Sequence, residues 1–103
     1  MHKRRIKRIA RRNDNFRRHG EMYVTRGVRK LQGFYGLMHT IRHFDNFTES
    51  NDPYGERDFG SLLWEGVRVL WKIDYYDPTL HFYCDPLSPR CKRVMTVMLA
   101  RDY

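Results

Sequence analysis

Apolar residues recur along this 103-residue chain at two periods, a helical one in the N-terminal half and an alternating one in the C-terminal half. At about 100° per residue, Ile6, Ile9, Ala10, Asn13 and Phe16 share one arc of roughly 120°. Lys3, Arg4, Lys7, Arg8, Arg11 and Arg18 crowd the opposite side. The pattern predicts a helix over Lys3–Arg18 whose apolar stripe docks on a body while its cations face outward. Like charges at i,i+4, such as Arg4–Arg8 and Arg8–Arg12, each oppose that helix by about 0.2–0.5 kcal/mol, so docking or a bound polyanion is needed to firm it. His19–Gly20 reads as its stop. Glu21–Thr25 is β-prone through Tyr23, Val24 and Thr25, and Gly27 permits a turn. A second helix is predicted over Val28–Phe47, where Leu31, Phe34, Tyr35, Met38, Ile41, Arg42 and Asp45 follow the helical period. Gly33 and Gly36 each cost it about 1 kcal/mol, and mark either close approach to a sheet or a later start.

Thr48–Gly60 (TESNDPYGERDFG) has the Asn, Asp, Pro and Gly content of a structured loop. Two strands are predicted next, Phe59–Trp64 and Val67–Tyr75, joined by Glu65–Gly66 as a hairpin. In the second, Val67, Val69, Trp71, Ile73 and Tyr75 alternate with Arg68, Leu70, Lys72, Asp74 and Tyr76, the pattern of a half-buried antiparallel strand. Asp77–Pro89 holds three prolines and reads as a long loop. Arg93–Arg101 has apolar residues on both faces and is predicted as a central, doubly covered strand, a short helix being the alternative that periodicity also allows. The expected fold is α+β, an antiparallel sheet of about four strands with two helices in the order α-β-α-β-β-β. It forms a single domain over 1–103, with the basic helix 3–18 packed on it or projecting from it. Removing Met1–Arg12 is expected to leave this fold largely intact.

Charge is distributed unevenly along the chain. Of the twenty Lys and Arg, nine lie in Met1–Arg18 with a single acid, Asp14, so the whole formal excess of +8 sits there and His19–Tyr103 is balanced. A neutral body with a concentrated cationic segment is drawn to polyanions, nucleic acid first and an acidic protein surface second. Arg outnumbers Lys in the segment by seven to two, and Arg grips phosphate with two parallel bonds. Arg4, Arg5, Lys7, Arg8, Arg11, Arg12, Arg17 and Arg18 are the candidate contacts. No helix-turn-helix, zinc-finger or RNA-recognition signature accompanies them.

The remaining candidate chemistry is thinner. Asp52, Glu56 and Asp58 in Asn51–Gly60 offer three carboxylates for Mg²⁺ and phosphoryl chemistry, the alternative being turn formation and local pairing. No P-loop, H-E-x-x-H or nucleophile motif supports catalysis. Tyr54, Arg57, Arg68 and Lys72 are secondary binding candidates. Trp71, Tyr75 and Tyr76 have the chemistry to stack on bases, although aromatics in a small sheet belong more often to its core. Cys84 and Cys91, with His81, match no common zinc spacing, and the five histidines are scattered, with His39 and His43 at i,i+4. No metal or other cofactor is expected. No apolar run approaches the ~20 residues of a membrane span, and the N-terminus lacks the uninterrupted apolar region of a secretory signal. The expected setting is the cytoplasm of a bacterial host cell.

The boxes NDPYGERDFG (Asn51–Gly60), WKIDYYD (Trp71–Asp77) and RVMTVMLARDY (Arg93–Tyr103) resemble a family of small proteobacterial proteins of unknown function, frequent on plasmids, phages and other mobile elements. Asn13-Asp14-Asn15-Phe16-Arg17 and Thr25-Arg26-Gly27-Val28 resemble its N-terminal half. The family's loop box usually has His where this chain has Arg57, so a histidine-based activity does not carry over. The resemblance implies context rather than chemistry, because neighbouring genes often counter host defences. The expectation is a non-catalytic binding protein of a mobile genetic element, an inhibitor of a CRISPR or restriction complex. It would act through its basic helix on nucleic acid or on a nucleic-acid-binding protein complex. The competing expectation is a metal-dependent nuclease or other phosphoryl enzyme built on Asp52, Glu56 and Asp58.

Overall fold

The computed structural model describes residues 2–103. Its elements are α1 (His2–His19), β1 (Met22–Val24), α2 (Arg26–Arg29), α3 (Phe34–Arg42), β2 (Phe59–Trp64), β3 (Val67–Tyr76) and β4 (Lys92–Leu99), closed by a 3-10 turn over Ala100–Asp102. The class is α+β as predicted, with two differences. The sheet, in the order β1-β4-β3-β2, is mixed rather than antiparallel, because β1 runs parallel to β4 with Met22 opposite Met95. The predicted second helix is two helices, so the order is α-β-α-α-β-β-β.

The break has a local cause. Gly33 adopts φ 71°, a left-handed conformation that ends one helix and starts the next. The Trp64 indole fills the space beside Gly33, and its Nε1 donates to the Gln32 carbonyl at 2.8 Å. Periodicity spans the break because Leu31, Phe34, Met38 and Ile41 still face the core.

Alternation along β3 places Val69, Trp71, Ile73 and Tyr75 on the helix side, in register with Leu99, Val97, Met95 and Arg93 of β4. Ile9 of α1, Val28 of α2, and Leu37 and Ile41 of α3 close over them. Glu65 and Gly66 both take positive φ (50° and 79°), the geometry that suits a two-residue hairpin between β2 and β3. Gly60 lies opposite Trp71, and a Cβ there would run into the Trp71 indole. Trp71 is fully buried and has no room to yield. Gly60→Ala is therefore expected to destabilise the fold by about 1–3 kcal/mol, read as a lower urea midpoint at unchanged slope.

The basic helix is part of the core rather than an appendage. Ile9 is 2% exposed, Asn13 and Arg17 are buried beside it, and Arg42 of α3 donates to the Arg17, Arg18 and Gly20 carbonyls at 3.0–3.2 Å. The first two lie in the last turn of α1 and the third just past its end, where carbonyls have no intrahelical partner. Deleting Met1–Arg12 would remove Ile9 and Ala10 from the core, so the expectation that the fold survives that deletion is corrected. No described helix is long and apolar enough to cross a membrane.

Candidate nucleic-acid interface

The outward stripe of α1 follows from its sequence. Arg4, Lys7, Arg8, Arg11, Asn15 and Arg18 recur at three- and four-residue steps, so they line one side over about 21 Å of helix. All six are exposed. Among the described residues, Lys3, Arg4, Lys7, Arg8, Arg11 and Arg18 enter no ion pair. The first turn of α1 carries no acid. Its unpaired N–H groups add partial positive charge where cations already cluster, which costs about 0.3–1 kcal/mol per misplaced cation and is relieved by a bound anion.

The other predicted cations have local work. Arg5 pairs with Asp85 at 2.8 Å, and Arg12 donates to the Leu87 carbonyl at 3.2 Å; both anchor the loop between β3 and β4. Arg17 is not at the surface. It is 1% exposed, its Nη2 donates to Asp14 (2.7 Å) and to the Phe44 carbonyl (2.9 Å), and its guanidinium lies 5.3 Å from the Phe47 ring and 5.1 Å from Trp71. On the helix its position falls within the arc of Asn13 and Ala10, which packs on the body, and this withdraws it from the contact set.

Asn13 was legible only as a polar residue in an apolar arc; in the fold it is the hub of a buried network. Its amide donates to the Tyr75 hydroxyl (2.8 Å) and the Glu56 carbonyl (2.9 Å), and its oxygen accepts from Arg93 Nε at 2.7 Å. Tyr75 in turn donates to the Glu56 carboxylate at 2.8 Å. Burial, and that bond to Glu56 after it, push the Tyr75 phenol well above its ordinary value, while Asn13 opposes the shift, so it stays a neutral donor. Arg93 also donates to the Pro86 carbonyl at 3.0 Å. The network ties α1 to β3, β4 and both long loops, and so fixes the pose of the cationic stripe.

The secondary candidates do not come together. Arg57, at φ 57°, pairs with Asp14 at 2.9 Å beside α1, and Tyr54 is exposed on the same loop. Arg68 and Lys72 lie on the opposite face of the sheet, Arg68 bonded to Ser61 Oγ at 3.1 Å and Lys72 paired with Asp74 at 2.9 Å. Trp71 and Tyr75 are buried in the core and offer no stacking face.

The carboxylate loop is occupied with structure. Asp52 accepts the Arg57 backbone N–H, and Glu56 accepts from Tyr75. Among the described residues no three His, Cys, Asp or Glu side chains are placed to hold a metal ion. Asp58 lies in a cleft with Glu56, Asp74 and Tyr76, where burial first and the Glu56 carboxylate second push it up to about 6 from an ordinary 3.8. The folded protein therefore binds an extra proton between those values. The resulting stabilisation is complete below about pH 3.8 and is lost as pH rises through 6. Because the group is only half-buried, solvent screening limits the effect to about 1 kcal/mol. Asp58→Asn is expected to raise the melting temperature by about 4–8 °C at pH 7.5 and to leave it nearly unchanged at pH 4.

A further feature escaped the sequence pattern. Between α1 and the start of β4 lies an open cavity of about 650 Å³ with a mostly apolar lining and four cations around it. Residues eighty positions apart build it, and nothing local announces it.

No curated protein and no solved structure matches the chain. A family model matches residues 24–102, a span that holds the loop box, the WKIDYYD box and β4 but leaves α1 outside. The family's description assigns no activity. On that match, the chain belongs to the family described as protein of unknown function (DUF3768).

Proposed function

We propose that this is a non-catalytic binding protein that engages nucleic acid through the outer stripe of α1. The observation that carries the proposal is the row of exposed, unpaired cations from Arg4 to Arg18, set rigidly on a body of zero net charge. A protein has little structural use for such a row. It repels itself along the helix and crowds a helix N-terminus with like charge. Phosphates spaced along a strand neutralise it and release their counterions. The network of Asn13, Tyr75, Glu56 and Arg93 supports the same reading, because it holds the helix in one pose and reduces the ordering cost of binding.

On a mobile element such a protein would inhibit a host defence complex by occupying its nucleic-acid path, an action that needs no catalytic group. Of the three carboxylates, Asp52 accepts from the Arg57 backbone and Glu56 from Tyr75, so neither stands free to join Asp58 in phosphoryl chemistry. The test is fluorescence anisotropy with labelled 20-nucleotide DNA and RNA, single- and double-stranded, and the full chain at 50 mM salt. Saturable binding that is competed by unlabelled strand is expected. If no nucleic acid binds while an acidic protein captures the chain through the same arginines, the nucleic-acid assignment is wrong.

A further inference from the structure

The cavity beside α1 gives that binding a finer character, and the inference rests on the nucleic-acid reading above. Its apolar wall comes from Phe16 and Cys91, and Arg11, Arg12, Lys92 and Arg93 surround it together with Asn15. No carboxylate lines it. The volume, about 650 Å³, lies in the range of small-molecule sites. Arg11 belongs both to the outward stripe and to this cavity, so a strand that follows the stripe passes the cavity mouth. Arg93 is held in place by Asn13 and Pro86, and Arg12 by Leu87, so both walls are pre-formed. An aromatic wall ringed by cations is complementary to a flat ring carrying a phosphate. In duplex DNA the bases are stacked inward and unavailable to such a site, whereas a single strand has them free.

We propose that this cavity takes one unstacked nucleotide of a single-stranded nucleic acid, the base against Phe16 and the flanking phosphates on Arg11 and Lys92. Burial pushes the Cys91 thiol above its ordinary value, which keeps it in the uncharged form that suits a wall facing an anionic ligand.

The experiment compares four probes on the full chain: a 12-nucleotide single strand, the same strand with abasic sites, its duplex, and a free nucleoside monophosphate as competitor. The intact single strand is expected to bind at least about tenfold tighter than the abasic strand or the duplex. Phe16→Leu is expected to remove that advantage, a loss of about tenfold, with the salt slope unchanged and duplex binding unaltered. Lys92→Glu, at an exposed position that does not support the core, is expected to weaken binding about tenfold and to lower the salt slope by about one. Equal affinity for intact, abasic and duplex probes overturns the inference and leaves the α1 reading standing. Competition by the free nucleotide at concentrations matching the strand's own affinity also overturns it, because the source is then a mononucleotide. Failure of every nucleic acid to bind overturns both.

Discussion

Reversing Arg4, Arg8 and Arg11 to Glu together is expected to lower nucleic-acid affinity by about a thousandfold or more, with little change in stability. The three residues stand one turn or two apart on the exposed side of α1, and none has a protein partner to lose. A hydrogen bond to a charged group contributes about 1.5–3 kcal/mol, so three lost phosphate contacts amount to about 4.5 kcal/mol at the low end, before any repulsion from the new carboxylates. The salt slope should fall by about 2–3 as three phosphate contacts disappear. Stability moves the other way if it moves at all, since acids near the first turn suit the helix dipole and break the run of like charges. Anisotropy titration gives the affinity, and a melting curve on the same samples shows the fold intact. Retained binding in the triple variant would remove α1 from the interface.

Truncating Arg17 to Ala should cost about 3–5 kcal/mol, a large part of the 5–15 kcal/mol typical of a domain. The side chain is 1% exposed and sandwiched by Phe47 and Trp71, and its loss leaves the Phe44 carbonyl unpaired and a void beside Trp71. Arg17 Nε and Nη1 have no partner, so the native residue is itself imperfectly satisfied. Arg17→Met fills the volume without those orphaned donors, and Asp14 keeps Arg57, so roughly half of the loss should return. Thermal melts should show Arg17→Ala at least about 12 °C below the parent. Below its melting point Arg17→Met should bind nucleic acid as the parent does, because a buried residue makes no contact with ligand. A cost under 1 kcal/mol for Arg17→Ala would show that the guanidinium is not holding α1 to the sheet.

Most of the sheet was legible because its signals are local. The alternation of Val67 to Tyr75 and the Glu65-Gly66 turn specify β2, β3 and their hairpin within a residue of the structure. The direction of β1 against β4 was not legible, since a three-residue strand carries no mark of its partner. Nor was the break at Gly33, where the helical period continues on both sides and a distant indole, Trp64, decides the matter. For the interface, the outward stripe was visible in helical spacing alone. Arg17 was misplaced because its charge outweighed its position on the wheel, where it falls among Ile6, Ala10 and Asn13. The cavity of Phe16, Arg11 and Lys92 joins α1 to β4, and only the folded chain brings them together.

Exposed, unpaired cations on α1 that grip a phosphate backbone make affinity fall with salt, and titrating the unaltered chain from 50 to 300 mM measures that dependence. Five stripe cations, Arg4, Lys7, Arg8, Arg11 and Arg18, predict a slope of log affinity against log salt of about −4.5 on a duplex, and with Lys92 added about −4 on a single strand. A slope near zero, or no binding at 50 mM salt, would contradict it.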